Sequence, residues 1–299
     1  MNAKSKLLCF VPDSLFLKYK FKKLMGYSLN LKNPRTFNEK IQWLKLHDRK
    51  PVYTIMVDKY EAKKYVSDII GEQYIIPTIG VWDRFEDIDF NKLPNQFVLK
   101  CTHDSGGVVI CKDKSNFNVE NARLKINKSL KQNYYWQGRE WPYKNVKHRI
   151  IAEEYKCDNN LLAIEQQELT DYKFYCFNGY VDCAMVCYDR ASKDTKFYFF
   201  DNEWKLKRIN KRGKQAPPGF SLPRPQCVDE MFTIAAELSQ GIPFVRVDLY
   251  QCNGRVYFGE MTFYPQSGWD PNYLPETDNY FGKLIDLSIA YSNFSHHQL

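Results

Sequence analysis

Three groups of residues have the types and spacing that phosphate chemistry needs. Val98-Leu99-Lys100 ends an apolar run and is followed by the polar turn Thr102-His103-Asp104-Ser105-Gly106-Gly107. A lysine at a strand end beside a glycine turn sets an ammonium and backbone N–H groups around anionic oxygens. The spacing is neither G-x-x-x-x-G-K-[ST] nor G-x-G-x-x-G, so neither a P-loop nor a Rossmann turn is expected. Further on, Asp248 and Glu260 stand on two apolar runs joined by Asn253-Gly254, a hairpin turn. Both lie at even offsets, which predicts that they share one face. Two carboxylates so placed repel unless a cation sits between them, and magnesium suits such oxygens. The alternative is that each is salt-bridged to Arg246 or Arg255. The third group is Asp171-Tyr172-Lys173, with Arg190 after the return strand. It offers basic groups for a terminal phosphate or, equally, a cross-strand surface ion pair.

Two further sets concern a substrate. Arg139, Trp141, Tyr143 and Lys144 cluster around Pro142. A guanidinium forks a carboxylate and aromatic faces suit sugar rings, although the same run reads as a packed surface loop. His103, beside the glycine turn, is a candidate for proton transfer or for plain hydrogen bonding.

The elements that must position these residues follow from periodicity and turn signals. Helices are expected at 13–25, 37–48 and 58–69. The second carries Thr36 as cap and Glu39 as capping-box acid, and the third stops at Gly71. Residues 74–82 form an extended connector, 96–101 and 107–111 are strands, 117–133 a helix, and a strand starts at Ile150. Strands 171–177 and 180–188 turn at Asn178-Gly179, and 196–200 pairs with 204–208. A Pro/Gly loop (213–225) leads to a helix (228–238), the closing hairpin (244–250, 255–261) and a C-terminal helix. Helix-flanked antiparallel strands in this order predict an α+β architecture.

Composition bounds the rest. With 299 residues, 44% hydrophobic, 26% charged and 16% aromatic, the chain has the makings of one large or two intimate globular domains. It has no repeat and no apolar run long enough for a membrane span, though peripheral membrane contact stays open. The basic-then-apolar start is cut by Pro12 and Asp13, so it is not expected to be a targeting signal. Nine cysteines, scattered and without a C-x-x-C pair, read as reduced core thiols and place the chain in the cytoplasm. The net charge of +8 favours anionic partners, densest at Lys18–Lys23 and Lys205–Arg212. An anionic-polymer or nucleic-acid binding module would show strong salt dependence and no ATPase activity. The basic residues do not combine with aromatics into an RNA-binding signature, so no nucleic-acid partner is expected.

Taken in order along the chain, these elements resemble the ATP-grasp superfamily, and within it the TupA-like branch found among bacterial polysaccharide genes. The stretches that carry the resemblance are Thr36-Phe37-Asn38-Glu39-Lys40-Ile41-Gln42-Trp43-Leu44-Lys45, Asp58-Lys59-Tyr60, Arg139-Glu140-Trp141-Pro142-Tyr143-Lys144 and Gly259-Glu260-Met261-Thr262-Phe263-Tyr264-Pro265. The likeness covers about residues 30–290. It implies an ATP-grasp fold with two α+β lobes holding ATP: a helical N-terminal segment (1–57) in place of a full Rossmann-like pre-domain, lobe 1 (58–152) and lobe 2 (153–299). It also implies ATP and Mg2+ as cofactors. Lys59 and Lys100 would be the nucleotide lysines, and Ser105, Gly106 and Gly107 the loop over the phosphates. Glu153 would be the hinge-strand acid, Glu154, Tyr155 and Lys156 the adenine edge, and Asp158 the ribose contact. Lys173 and Arg190 would serve the γ-phosphate and acyl phosphate, and Asp248, Glu260 and Thr262 the metal. Thr262 stands where the family pattern has Asn, which weakens a second magnesium site. The activity implied is a carboxylate–amine ligase working through an acyl phosphate in capsular or cell-surface polysaccharide synthesis. Its acid would be a uronic acid or amino-acid carboxylate. The alternatives are a sugar or polysaccharide kinase and a glycosyltransferase.

Overall fold

The computed structural model describes residues 10–157, 169–188 and 195–291. In chain order its helices and strands are α1 (Asp13–Met25), α2 (Phe37–His47), α3 (Val52–Val57), α4 (Glu61–Ile70), β1 (Thr78–Trp82), β2 (Phe97–Cys101), β3 (Val108–Cys111), α5 (Val119–Leu130), α6 (Tyr135–Gly138) and β4 (Ile150–Glu154). There follow β5 (Asp171–Phe177), β6 (Tyr180–Tyr188), β7 (Lys196–Phe200), β8 (Leu206–Lys207), α7 (Lys211–Gln215), α8 (Val228–Leu238), β9 (Val245–Cys252), β10 (Arg255–Thr262) and α9 (Pro275–Leu284). This is the expected mixture of helices and antiparallel sheets. The chain divides into two compact units, one built on Pro51–Cys157 and the other on Val11–Lys50 together with the residues after Cys157.

In the first unit, four antiparallel strands lie in the order β1-β4-β2-β3. Alternation sorts β2 cleanly: Phe97, Leu99 and Cys101 are buried in a core shared with Ile150, Ala152 and, from α5, Ala122 and Ile126. Lys100, paired with Ile151, and Glu153, paired with Val98, belong to the opposite face. The helix expected from Asp58 starts at Glu61 instead, because the Asp58 carboxylate accepts from the backbone N–H of Tyr60 (2.9 Å) and bends the chain there. The short helix α3 just before it carries no cap signal beyond Pro51 and was not foreseen.

In the second unit, six antiparallel strands lie in the order β10-β9-β5-β6-β7-β8. Helix α8 covers one face, where Phe232 meets Phe174 edge-on at 5.0 Å. On the other face Tyr175 packs with Phe199, Phe244, Tyr273 and Phe281. Phe37, the first residue of α2, enters the same cluster 4.8 Å from Phe244. The Thr36/Glu39 capping box forms as the sequence suggests. Helix α1 buries Phe16, Leu17 and Phe21 against Leu46 and Trp269. The strand expected at 204–208 shrinks to two residues because Trp204 sits at φ 62° and breaks the extended run. The eight described cysteines are free, and all but Cys157 are buried. No helix among the described residues is long and apolar enough to cross a membrane.

Candidate active site

Register places the charged residues of the second unit in two rows across three strands. Lys173 on β5 and Glu260 on β10 both pair with Asp248 on β9. Two residues along, Tyr175 and Thr262 both pair with Arg246. Because side chains repeat every second residue, the two rows share a face. The contacts are dense. The Lys173 ammonium meets Asp248 and also Asp171 at 2.8 Å. Arg246 forks Asp248 with Nε and Nη2, both at 2.7 Å, and its Nη2 reaches Thr262 at 3.1 Å and Glu260 at 3.4 Å. Thr262 in turn donates to Glu260 at 3.2 Å. Of the two arginines that competed for these carboxylates, Arg246 holds them, while Arg255 is exposed at the hairpin turn.

The shared face of Asp248 and Glu260 does not come from their even offsets. Cys252 pairs with Arg255, so an unbroken register would set Asp248 opposite Gly259 and turn Glu260 to the other side. A β-bulge between Phe258 and Glu260 advances the strand by one residue and brings Glu260 level with Asp248. Gly259 permits it, since a Cβ there would stand 2.8 Å from the Tyr250 ring and 2.9 Å from the Asp248 carbonyl oxygen. The outcome matched the expectation, but its cause is the bulge.

The electrostatics are those of a buried, nearly balanced cluster. Burial draws the Lys173 ammonium down, but Asp248, Asp171 and Glu260 lift it past its ordinary value. Arg246, resisted by burial, is held charged by Asp248. Burial pushes the Asp248 carboxyl up, and Arg246 and Lys173 pull against it. Among the described residues two cations face three carboxylates. Asp248 and Glu260, with the Thr262 hydroxyl, are hard oxygen donors gathered on one face. Magnesium typically takes one or two carboxylates and completes its shell with phosphate oxygens and water, so this set fits it. Asp248 is buried and Glu260 partly exposed, which leaves the latter accessible to a cation.

The chain just past Thr262 turns sharply, with Gln266 at φ 47° and Ser267 at φ 56°. Two consecutive left-handed non-glycine residues are strained and need outside support. Helix α2 supplies it. Gln42 donates to the carbonyls of Ser267 (2.9 Å) and Gly268 (2.8 Å), and the fully buried Lys45 donates to the Ser267 carbonyl at 2.7 Å. The Lys45 ammonium also lies 4.5 Å from the Trp269 ring centroid. Asn38 donates to Asp278 and accepts from the Asp270 backbone N–H. The Thr36–Lys45 motif thus holds the loop that follows the carboxylate hairpin, a role that its amphipathic pattern did not reveal.

In the first unit, Lys100 meets Glu153 at 2.5 Å and Lys63 of α4 meets the other carboxylate oxygen at 2.6 Å. Burial raises the Glu153 carboxyl, yet the two lysines hold it below its usual range. Burial lowers the Lys63 ammonium. Lys63 was missed because a lysine at a helical surface position carries no signal of its own. Lys59 donates to the Asp104 carbonyl oxygen, so its ammonium sits at the root of the glycine turn. There Asp104 accepts from Gly107 N–H at 3.1 Å and from the Ser129 hydroxyl. The tip, Ser105 and Gly106, is exposed, whereas Gly107 is tight against Ser129 and Cys101.

The remaining candidates are placed as follows. His103 is buried, stacked on His148 at 3.7 Å, and touches the Ser129 carbonyl oxygen at 3.2 Å. Arg139 is buried with its guanidinium 4.5 Å from the Trp136 centroid, and Tyr143 packs edge-on against Tyr134. Trp141 is half-buried and Lys144 exposed. Glu154 ends β4 and pairs with Lys156 at 2.7 Å, with Tyr155 half-buried between them. Asp158 and Arg190 lie outside the described residues.

Comparison with known proteins bears on these arrangements. The family described as TupA-like ATPgrasp matches residues 39–286. No curated protein matches the chain. Among solved structures the chain is similar to D-alanine–D-alanine ligase from Bacillus anthracis complexed with ATP, at 17% identity and TM-score 0.42 over 79% of this chain and 65% of that one. It is also similar to the ATP-grasp ligase PsnB complexed with minimal precursor, Mg and ADP, at 9% identity and TM-score 0.39 over 75% of this chain and 57% of that one. A third is the D-cycloserine synthetase DcsG, at 16% identity and TM-score 0.40, with 78% and 70% covered. The chain therefore spans less than two thirds of the first two structures' lengths.

Proposed function

The chain belongs to the TupA-like ATP-grasp family, and on that premise we propose that it is an ATP-dependent carboxylate–amine ligase of capsular or cell-surface polysaccharide synthesis. The observation that carries the proposal is the Lys173–Asp248–Glu260 row with Arg246 and Thr262 beside it. Such a row offers oxygens for a cation and cations for phosphate within one rigid sheet, which is what phosphoryl transfer asks of a protein. Bound magnesium, held by Asp248 and Glu260 with Thr262 alongside, would neutralise phosphate charge and polarise the γ-phosphorus.

The residues divide the work. Lys100, oriented by Glu153, and Lys59 bind phosphate oxygens of ATP, with the Ser105–Gly107 turn laid over them. The backbone of Glu154–Lys156 receives the adenine edge. Lys173 offers its ammonium to the γ-phosphate, and Arg246 orients the acid. A carboxylate oxygen of the acid, a uronic acid or amino acid, attacks the γ-phosphorus as the bond to the β-phosphate oxygen breaks and ADP leaves. The amine then attacks the acyl carbon, phosphate departs with that carboxylate oxygen, and the amine proton passes to solvent. No serine or cysteine nucleophile is needed, and His103 is too enclosed to carry a proton to substrate.

The test is a coupled assay for ADP and phosphate with magnesium, glucuronate or glutamate as acid, and a panel of amines. Release of both products, dependent on acid and amine together, lost in Lys100→Met and shifted to higher magnesium in Glu260→Gln, supports the proposal. ADP release with the phosphate retained on a sugar would establish the kinase instead.

A further inference from the structure

The dense basic run Lys18–Lys23 takes no part in the site described above. Between Asp13 and Glu39 the chain carries Lys18, Lys20, Lys22, Lys23, Lys32 and Arg35 and not one acidic residue. The two bounding acids are committed, Asp13 to Arg49 at 2.9 Å and Glu39 to its capping box. The same stretch concentrates exposed apolar side chains. Of fifteen large hydrophobic residues exposed among the described residues, four lie between positions 15 and 27: Leu15, Tyr19, Leu24 and Tyr27. Scattered singly such residues need no explanation, but gathered in an acid-free basic segment they mark a surface for contact.

Helix α1 sorts these residues. Phe16, Leu17 and Phe21 are buried against Leu46 and Trp269, which fixes the helix about its axis. Lys20 belongs to the edge of that packed side, its ammonium 5.9 Å from the Phe16 and Trp269 ring centroids. At about 100° per residue the opposite side presents Leu15, Tyr19 and Lys22 in one row. Lys18 stands beside Leu15 and Lys23 beside Tyr19, so lysines flank the apolar pair. Leu15 is 56% and Tyr19 66% exposed. The side chains of Lys18, Lys22 and Lys23 are exposed and engage no partner among the described residues.

Apolar tips set between ammonium groups suit a surface that is anionic at its face and apolar beneath. Lysine stems lie along hydrocarbon while their heads reach phosphate, and tyrosine favours the headgroup level. A nucleic acid would engage the lysines and gain little from Leu15. We propose that the outer face of α1 docks on an anionic phospholipid bilayer. Leu15 and Tyr19 enter the interface, and Lys18, Lys22 and Lys23 meet the anionic headgroups. Docking is independent of the activity proposed above, since none of these five side chains belongs to the carboxylate row or to the glycine turn.

Sedimentation of the full chain with sucrose-loaded vesicles tests this, comparing phosphatidylcholine alone with a mixture of phosphatidylcholine and phosphatidylglycerol. Each lysine near an anionic surface is worth about fivefold in binding, so three together are worth about a hundredfold. The mixed vesicles are expected to bind tighter by about that factor at low salt, with the preference falling as salt rises. Lys18→Gln/Lys22→Gln/Lys23→Gln should remove the preference. Leu15→Ser/Tyr19→Ser, which keeps every charge, should weaken binding to mixed vesicles by about tenfold or more. Circular dichroism checks that the variants fold, and Lys22→Glu, a single exposed change expected to cost about fivefold or more, carries the test if a multiple variant does not. Equal binding to both vesicle types, no binding to either, or a preference that survives the lysine changes overturns the proposal. So does wild-type binding by Leu15→Ser/Tyr19→Ser, which would mark a purely ionic face open to any anionic polymer.

Discussion

Placing one methyl group on Gly259 is expected to disturb both stability and metal dependence, for a single geometric reason. The new Cβ would stand 2.8 Å from Tyr250 Cε2 and 2.9 Å from the Asp248 carbonyl oxygen. Tyr250 meets the new Cβ with its half-buried ring, but the carbonyl belongs to a strand paired on both sides, so the hairpin itself must shift. Overpacking of this kind costs about 1–3 kcal/mol. At ~2–4 °C per kcal/mol for domains of this size, Tm should fall by about 2–12 °C in Gly259→Ala. The alternative relief is loss of the bulge, which rotates Glu260 away from Asp248. Either way the magnesium concentration for half-maximal ADP release should rise. Glu260→Gln separates the two effects, raising the magnesium requirement with little change in Tm because Glu260 is partly exposed. Differential scanning fluorimetry and ADP release across a magnesium series read both quantities. A Gly259→Ala protein with wild-type Tm and wild-type magnesium dependence would refute the claim that the bulge positions Glu260.

Glu153→Gln leaves two ammonium groups facing a neutral amide and should cost about 3 kcal/mol, measured by urea denaturation at pH 7. Because the folded carboxyl lies below its ordinary value, its contribution is present above about pH 5 and lost as pH falls through the folded value; the variant should therefore be flatter than wild type between pH 5 and 3. Burial, then His148, lowers the His103 imidazole, so protonation favours the unfolded chain below about pH 6.5 and stability should decline from pH 7.5 to 5.5. His103→Phe keeps a ring in the stack and should reduce that slope; an undiminished slope would assign it to other groups. Lys45→Met strips the Ser267 carbonyl of its charged donor and should cost about 1–3 kcal/mol, with faster proteolysis at 264–269; unchanged proteolysis would mean that Gln42 alone supports the turn.

How much of this was legible in the sequence depends on whether the cause was local. The capping box at Thr36 and Glu39, the Asn178-Gly179 and Asn253-Gly254 turns and the strand expected at 96–101 are each decided by neighbouring residues, and they formed as expected. Asp248 and Glu260 also came together, but through a bulge that parity counting does not contain. Lys63 and the clamp of Asn38, Gln42 and Lys45 on residues 267–270 depend on contacts across 90 to more than 220 residues of chain. No local pattern encodes those. Arg139 reads in sequence either as a fork for a carboxylate or as part of a packed loop; its place at φ 56° over Trp136 comes from the turn after α6, which its neighbours in sequence do not announce.

The central claim is that a carboxylate of the substrate is activated by ATP, and oxygen tracing tests it most directly. Glucuronate or glutamate labelled with ¹⁸O in the reacting carboxylate is turned over with ATP, magnesium and amine, and the released phosphate is analysed by mass spectrometry. The account predicts one labelled oxygen in the phosphate for each amide formed, with no labelled phosphate in Lys100→Met. Turnover that releases ADP while the phosphate stays unlabelled or remains on the sugar would contradict it.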